Sequence, residues 1–353
     1  MKLRFLRLFN FRGYEDTSFE FSPGVNHIVG PNAAGKTSVL EAIHLLMCGR
    51  SFRTGQNSEL IRYETPSFYI EGQFEKHGVE QVVKLAYDGS HKKILINNTQ
   101  CQSYNHLLGV VLGVVFTPDD AALVKGVPGG RRQFLDLHIS QFDPLYVHHS
   151  SRYQRAMKQR NSMLRKGKLD GVFPWEEEMA KAAEYLTRKR KQVVQELEES
   201  SREIYRKLSS KSSQLTVFFK STLGRDDPLT VKERFLAMME RNRLREKEAG
   251  ITFVGPHKDD VLFGINGKEL KIFGSEGQQR SCVAALRLAT WERLHEHSKI
   301  KPLMLVDDVG MSLDTKRQSK LSEHLSNLGQ VFLTSTELTK PASNAHVIYT
   351  QTS

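Results

Sequence analysis

Eight residues near the start of the chain, GPNAAGKT, set Gly30, Gly35, Lys36 and Thr37 at the spacing G-x-x-x-x-G-K-[ST]. The apolar run NHIVG precedes them and SVLEAIHLL follows, which puts the loop between a strand and a helix. In that setting the main chain of Gly30, Pro31, Asn32, Ala33, Ala34, Gly35, Lys36 and Thr37 curls around phosphate oxygens at a helix N-terminus, where backbone N–H groups and the helix dipole favour negative charge. Lys36 is expected to reach the β- and γ-phosphates of a nucleotide, and Thr37 to ligate Mg²⁺. The plain alternative is a glycine-rich turn with no ligand.

A phosphate loop needs a carboxylate partner, and PLMLVDDV offers one: an apolar strand running into Asp307 and Asp308. Two adjacent acids at a strand end repel and lose hydration unless something positive compensates. Asp307 is expected to hold Mg²⁺, directly or through water, and Asp308 to polarise the attacking water as general base. A surface turn after a core strand is the competing account. Upstream, FGSEGQQRSCVAALRLATWERL starts a helix of about seventeen residues with Ser275 at its N-cap. Its positive dipole end could bind phosphate, although most such starts merely cap.

Thr37 and Asp307 lie about 270 positions apart, so a site built from both needs a head whose two halves are split by an insertion. The first part alternates apolar and polar residues in KLRFLRLF and SFEF, then in SFYIEGQF, EQVVKLAYD and KKILIN, predicting a β-rich unit around one helix from about Thr37 to Leu46. From Pro144 to about Ser210 the pattern becomes long helices broken at GVFP, residues 171–174. Met179, Ala183, Leu186, Arg190, Val193, Leu197, Ser200, Ile204 and Lys207 recur at 4-3 spacing, as in a short coiled-coil arm or an amphipathic helix on a globular core. The expected division is an N-terminal ATPase lobe over 1–125, a helical arm over 126–250 and a C-terminal ATPase segment over 251–353.

With 39% hydrophobic and 26% charged residues, the composition excludes disordered and low-complexity classes. Lys and Arg number 51 against 40 Asp and Glu, a net +11. Residues 151–250 hold 24 of the basic and 15 of the acidic ones, so most of the excess lies there. Such a field attracts polyanions, nucleic acid above all, or simply solvates helices. The longest uncharged apolar run, Leu107 to Phe116, is ten residues, short of a membrane span. Basic residues punctuate MKLRFLRLFNFRGY, so no secretory leader is read and a cytoplasmic location is expected. Cys48, Cys101 and Cys282 are scattered and form no CxxC pair, which argues against disulfides and zinc.

Taken together, GPNAAGKT, GSEGQ and LMLVDDVGMSLD resemble the Walker A, signature and Walker B/D-loop set of ABC-type ATPase heads, specifically the split heads of SMC proteins. NFRGY, VFTPDDAALVKGVPGGRRQFLD, FVGPHKDDVLF and FGSEGQQR extend the likeness, so that the chain resembles the RecF family across its length. The fold this implies is α/β, a split P-loop head with mixed β-sheets around the Walker A helix and an inserted helical arm. The function implied is that of an ATP-dependent DNA-binding protein of recombinational repair and replication-fork maintenance. Its slow ATPase acts as a switch. The resemblance further implies an ATP-dependent homodimer that binds double-stranded DNA and single-strand/double-strand junctions, works with RecO and RecR, and promotes RecA loading.

By position, Ser275, Gly277 and Gln278 would be the signature that contacts the γ-phosphate held by the other subunit, and Asp314 the D-loop residue crossing the same interface. Arg12 would touch the nucleotide, or else be a solvated strand residue. Thr334 and Thr336 occupy the switch position. Three departures stand out: Ala33 where the family usually has glycine, Met311 and Ser312 where a serine and an acid usually precede Leu-Asp, and Asp308 where many ABC heads carry glutamate. An SMC-like architectural ATPase and a transporter-type ATP-binding subunit are the alternatives, and a metabolic kinase would leave the signature and the central helices unexplained.

Overall fold

The computed structural model describes residues 1–209, 213–224, 229–308, 314–337 and 345–350. The chain opens with strands β1 (Lys2–Phe11), β2 (Tyr14–Glu20) and β3 (Val25–Val29), then helix α1 (Lys36–Cys48). Strands β4 (Phe68–Lys76), β5 (Val79–Tyr87), β6 (Lys92–Ile96), β7 (Thr99–Gln100) and β8 (Gly113–Phe116) follow. Next come helices α2 (Ala121–Lys125), α3 (Pro128–Ser140), α4 (Pro144–Arg165) and α5 (Phe173–Leu208), strand β9 (Leu215–Lys220) and helix α6 (Val231–Ala249). The chain continues through β10 (Asp260–Ile265), β11 (Lys268–Glu269), α7 (Leu270–Phe273), α8 (Glu276–Ser298) and β12 (Leu303–Asp307). It closes with α9 (Thr315–Ser326), β13 (Val331–Ser335) and β14 (His346–Tyr349).

Two compact units result. The first comprises Met1–Asp120, Ile204–Lys211 and Arg280–Ser353. Among its described residues, one sheet is antiparallel in the order β2-β1-β4-β5-β6-β7, and the other is parallel in the order β14-β3-β13-β12-β8. Helix α1 touches strands of both. Its sequence is apolar almost all round, and every residue but Thr37 is buried, as a helix between two sheets requires. Leu6, Leu8 and Phe11 of β1 and Ile70 and Phe74 of β4 close the core beneath it. The alternation in β1 is interrupted by a register shift between Leu3 and Phe5. Asn97 and Asn98, both at positive φ (49° and 66°), make the tight turn joining β6 to β7.

The second unit comprises Ala121–Glu203 and Ser212–Gln279. Helix α5 ends the GVFP break as expected, but its buried face is broad. Besides Met179, Ala183, Leu186, Arg190, Val193, Leu197 and Ser200, the residues Ala180, Ala182, Thr187, Val194 and Ser201 are also buried. A coiled-coil seam is narrower, so the arm gives way to its alternative, an amphipathic helix lying on a core. Buried Arg160 of α4 ties it in through Glu176 at 2.9 Å, with partly exposed pairs from Arg152 of α4 to Glu178 and from Lys232 of α6 to Glu177 alongside. Residues 251–279, read from sequence as part of the C-terminal ATPase segment, group with this unit because β10 pairs along its length with β9. The helix expected to span about seventeen residues is α8, of 23.

Buried charge organises the second unit. Arg190 donates to both carboxylate oxygens of Asp136 (2.8 and 3.0 Å), to the Tyr146 hydroxyl (2.8 Å), to Asp259 (3.2 Å) and to the Pro256 carbonyl (2.6 Å). Arg131 forms a bidentate pair with Asp260. The motif segments VPGGRRQFLD and VGPHKDD are therefore bolted to each other, which accounts for their charged residues structurally. Gly255, at φ 118°, lies where a β-carbon would sit 2.6 Å from the Phe235 ring, so glycine alone fits this turn.

Candidate nucleotide-binding site

The parallel sheet dictates where chemistry can gather. Neighbouring strands β3, β13 and β12 run in one direction, so residues just past their carboxyl ends meet at one edge. The loop 30–35 leaves β3, Asp307 ends β12, and Thr334 lies opposite Asp307 in β13 between them.

At that edge Asp307 is buried and its Oδ1 accepts two hydrogen bonds, from Thr37 Oγ1 at 3.0 Å and from Thr334 Oγ1 at 2.7 Å. Thr334 Oγ1 in turn accepts the backbone N–H of Asp308 at 3.0 Å. One threonine thus fixes both consecutive acids, and it holds Asp308 at φ 45°, a backbone conformation that side chains other than glycine seldom take. Burial, and then the charge of Asp307, raise the Asp308 carboxyl above its ordinary pKa, while Lys36 opposes them.

Lys36 is buried, and its ammonium donates to the carbonyls of Gly30 (2.7 Å) and Pro31 (2.8 Å). No described carboxylate pairs with it. A buried cation whose hydrogen bonds go to main-chain carbonyls, with no described carboxylate in contact, keeps its charge available to a polyphosphate. Gly30 cannot carry a β-carbon, because one would lie 2.5 Å from Thr350 Oγ1. Gly35 starts α1 at φ 81°, with a β-carbon position 2.7 Å from the Tyr14 hydroxyl. Ala33 adopts φ 67° with its side chain exposed, so the alanine is accommodated at a cost of about 1 kcal/mol for left-handed backbone. Pro31 and Asn32 are exposed and Ala34 is buried.

Arg12 is neither a free strand residue nor an open ligand. Its guanidinium forms a bidentate pair with Glu41 (2.9 and 2.7 Å) and donates to the Glu59 carbonyl at 2.8 Å. Glu41, on α1, is completely buried and also accepts from Ser51. The sequence reading missed Glu41, although a lone acid inside SVLEAIHLL was the signal, since a buried carboxylate demands a partner. It missed Tyr14 as well. That hydroxyl is enclosed without a hydrogen-bond partner among the described residues, and burial pushes its pKa up to about 12.

The remaining candidates divide by place. Ser275 is exposed and caps α8: its Oγ accepts the Gln278 N–H (3.3 Å) while Gln278 Oε1 accepts the Ser275 N–H (2.9 Å), a reciprocal box. Gly277 lies in the first turn of that helix. Asp314 caps α9 through the Arg317 N–H (2.9 Å). Thr336 follows β13 and is half-buried. Met311 and Ser312 lie outside the described residues.

Thr37 and Asp307 present two hard oxygen donors side by side, the donor type a Mg²⁺ ion prefers, with water and phosphate completing its shell. The donor types gathered here, two oxygens beside a buried lysine at a helix N-terminus, are those that suit a polyphosphate with its cation.

A family model described as the RecF/RecN/SMC N terminal domain matches residues 2–352. The chain is 47% identical over 339 residues to the DNA replication and repair protein RecF of Protochlamydia amoebophila, covering 96% of this chain and 94% of that one. To RecF of Listeria monocytogenes it is 38% identical over 344 residues, covering 95% and 93%. A solved structure of the recombination mediator protein RecF with ATP, in the RecFOR pathway, matches at a TM-score of 0.91 and 30% identity, over 98% of this chain and 95% of that one. Fold and site define a split P-loop ATPase head of the SMC type. The chain belongs to the RecF family of DNA replication and repair proteins.

Proposed function

We propose that this protein is an ATP-driven DNA-binding switch of recombinational repair. The observation that carries the proposal is the convergence of Thr37 and Asp307, 270 positions apart, on one hydrogen bond beside a buried Lys36 whose ammonium donates to loop carbonyls and pairs with no described carboxylate. ATP lies along Gly30–Thr37, with Lys36 turning from the loop carbonyls to the β- and γ-phosphates. Thr37 Oγ1 and Asp307 would hold Mg²⁺, which when bound supplies positive charge against the charge developing on the phosphates. Asp308 accepts the proton of the attacking water, and Thr334 keeps both acids aimed. Being shorter than glutamate, Asp308 suits slow turnover, and DNA stimulates it. Arg12 reaches the nucleotide side of α1 only as far as Glu41 allows.

Ser275, Gly277 and Gln278 of a second copy complete the γ-phosphate shell, with Asp314 crossing the same interface and Thr336 joining Thr334 at the switch. ATP therefore joins two copies, and the dimer binds duplex DNA at gaps and single-strand/double-strand junctions. With RecO and RecR it promotes RecA loading, in the cytoplasm and at the nucleoid. The net charge of +11 and the names of the relatives support this reading. No described helix is long and apolar enough to cross a membrane.

Sedimentation of the pure protein with and without Mg-ATP and a gapped duplex, at two salt concentrations, tests the proposal. Mg-ATP is expected to shift the protein to a dimer, Lys36→Met to abolish that shift, and raised salt to weaken duplex binding steeply through counterion condensation. An undiminished ATP-dependent dimer in Lys36→Met would sink the composite site.

A further inference from the structure

The opposite end of the parallel sheet holds a cavity of about 510 Å³, lined by Lys2, His77, Lys299, Ile300, Lys301 and Leu328 among others. It sits where strands begin: Gly24 precedes β3, Lys301 lies two residues before β12, and Gln330 precedes β13. The five residues of β3 separate it from the phosphate loop by roughly 16 Å. The nucleotide site therefore does not use it.

The walls are firmly built. Gln330 is buried and fully employed, its Oε1 accepting the Leu3 N–H (2.6 Å) and its Nε2 donating to the Leu3 carbonyl (2.8 Å) and the Ser22 carbonyl (2.9 Å). The Met1 amino nitrogen donates to the Lys301 carbonyl at 3.1 Å. The stem of Lys301 lies over Gly329, where a β-carbon would meet its Cβ at 2.9 Å.

The charge of this cavity is unbalanced. Lys2 pairs with Glu75 at 2.9 Å, but Lys299, Lys301 and His77 have no ion pair among the described residues. Lys299 also stands at φ 59°, closing α8 through its N–H to the His295 carbonyl (2.8 Å). Glycine is the easier residue at such a helix end, although a cation there also suits the helix dipole. Beside the two lysines the floor is apolar, with Ile300 buried and Leu328 half-buried, while Pro23 is exposed.

We propose that this cavity is a docking site for a short acidic peptide segment of a partner protein, one that sets carboxylates against Lys299 and Lys301 and an apolar side chain on Ile300 and Leu328. Charge complementarity favours an anion, and the recessed apolar floor favours a peptide over duplex DNA, whose phosphates line a convex backbone and would leave that floor unfilled.

Fluorescence anisotropy with a labelled EDLFED peptide, and KKLFKK as its control, tests this on the full chain. EDLFED is expected to bind and KKLFKK not. The double reversal K299E/K301E is expected to weaken EDLFED about tenfold or more, at roughly a few-fold per removed charge contact and more for reversal, while leaving ATP turnover and duplex affinity unchanged. Lys299→Gly serves as a second variant: it removes a charge and the unfavourable φ together, so weaker peptide binding with an undiminished melting temperature separates docking from folding. Three results would overturn the proposal: no binding of EDLFED at millimolar protein, equal affinity in the variants, or displacement of the peptide by unlabelled duplex, which would make the cavity part of a nucleic-acid surface.

Discussion

Thr334 is the residue on which the geometry of the acid pair turns, and Thr334→Val is the perturbation that exposes it. Valine keeps the shape and the β-branched fit to strand β13 but deletes one hydroxyl. That hydroxyl makes a charge-assisted bond to Asp307 (2.7 Å) and satisfies the Asp308 N–H (3.0 Å). The first is worth ~1.5–3 kcal/mol, and an unmet, partly enclosed N–H costs ~1–3 kcal/mol. Thr37 still donates to Asp307 and offsets part of the loss, so a net destabilisation of about 2–4 kcal/mol is expected. If Thr37 and Asp307 hold the cation as proposed, Thr334 would be the main hydroxyl left to hold Asp307, and ATP turnover is expected to fall by about tenfold or more. Guanidinium unfolding followed by circular dichroism, together with steady-state ATP hydrolysis, measures both effects, and Thr334→Ser is expected to restore most of each. A loss below about 0.5 kcal/mol with unchanged turnover would refute the reasoning, because the two bonds would then carry neither stability nor alignment.

Two further outcomes follow from buried charge. Replacing Glu41 by glutamine keeps the volume but leaves the Arg12 guanidinium without its counter-charge, so stability is expected to drop by about 2–4 kcal/mol, measurable by differential scanning calorimetry. His257 is neutral and satisfied at both nitrogens, Nδ1 accepting from the Tyr153 hydroxyl (2.7 Å) and Nε2 donating to the Thr252 carbonyl (3.0 Å), and burial holds its pKa down to about 4. Between that value and the ordinary 6.5 the unfolded chain binds more protons, so stability rises with pH across this window and is lost on acidification through it, by roughly 3 kcal/mol in full. Denaturant midpoints at several pH values should show that slope in the wild type and lose it in His257→Gln; an unchanged slope assigns the acid sensitivity elsewhere.

Much of this protein is decided by the sequence alone because the deciding physics is local. The spacing of Gly30, Gly35, Lys36 and Thr37 between an apolar strand and an apolar helix, the acids at the end of LMLVDD, the serine that caps α8 and the break at GVFP all act within a turn or two of themselves. The tertiary structure decides which strands lie side by side. Only the order β3-β13-β12 puts Thr334 between the phosphate loop and Asp307, and only the folding of β1 and the 57–60 turn around α1 gives Arg12 to Glu41 and the Glu59 carbonyl. Likewise, the pairing of β9 with β10 draws 251–279 into the helical unit, and the breadth of burial along α5 makes a core helix of what heptad spacing presents as an arm. Side chains tens or hundreds of positions apart leave no periodic trace of their partnership, so a buried charge announces in sequence only that it needs a partner, and the fold supplies which one.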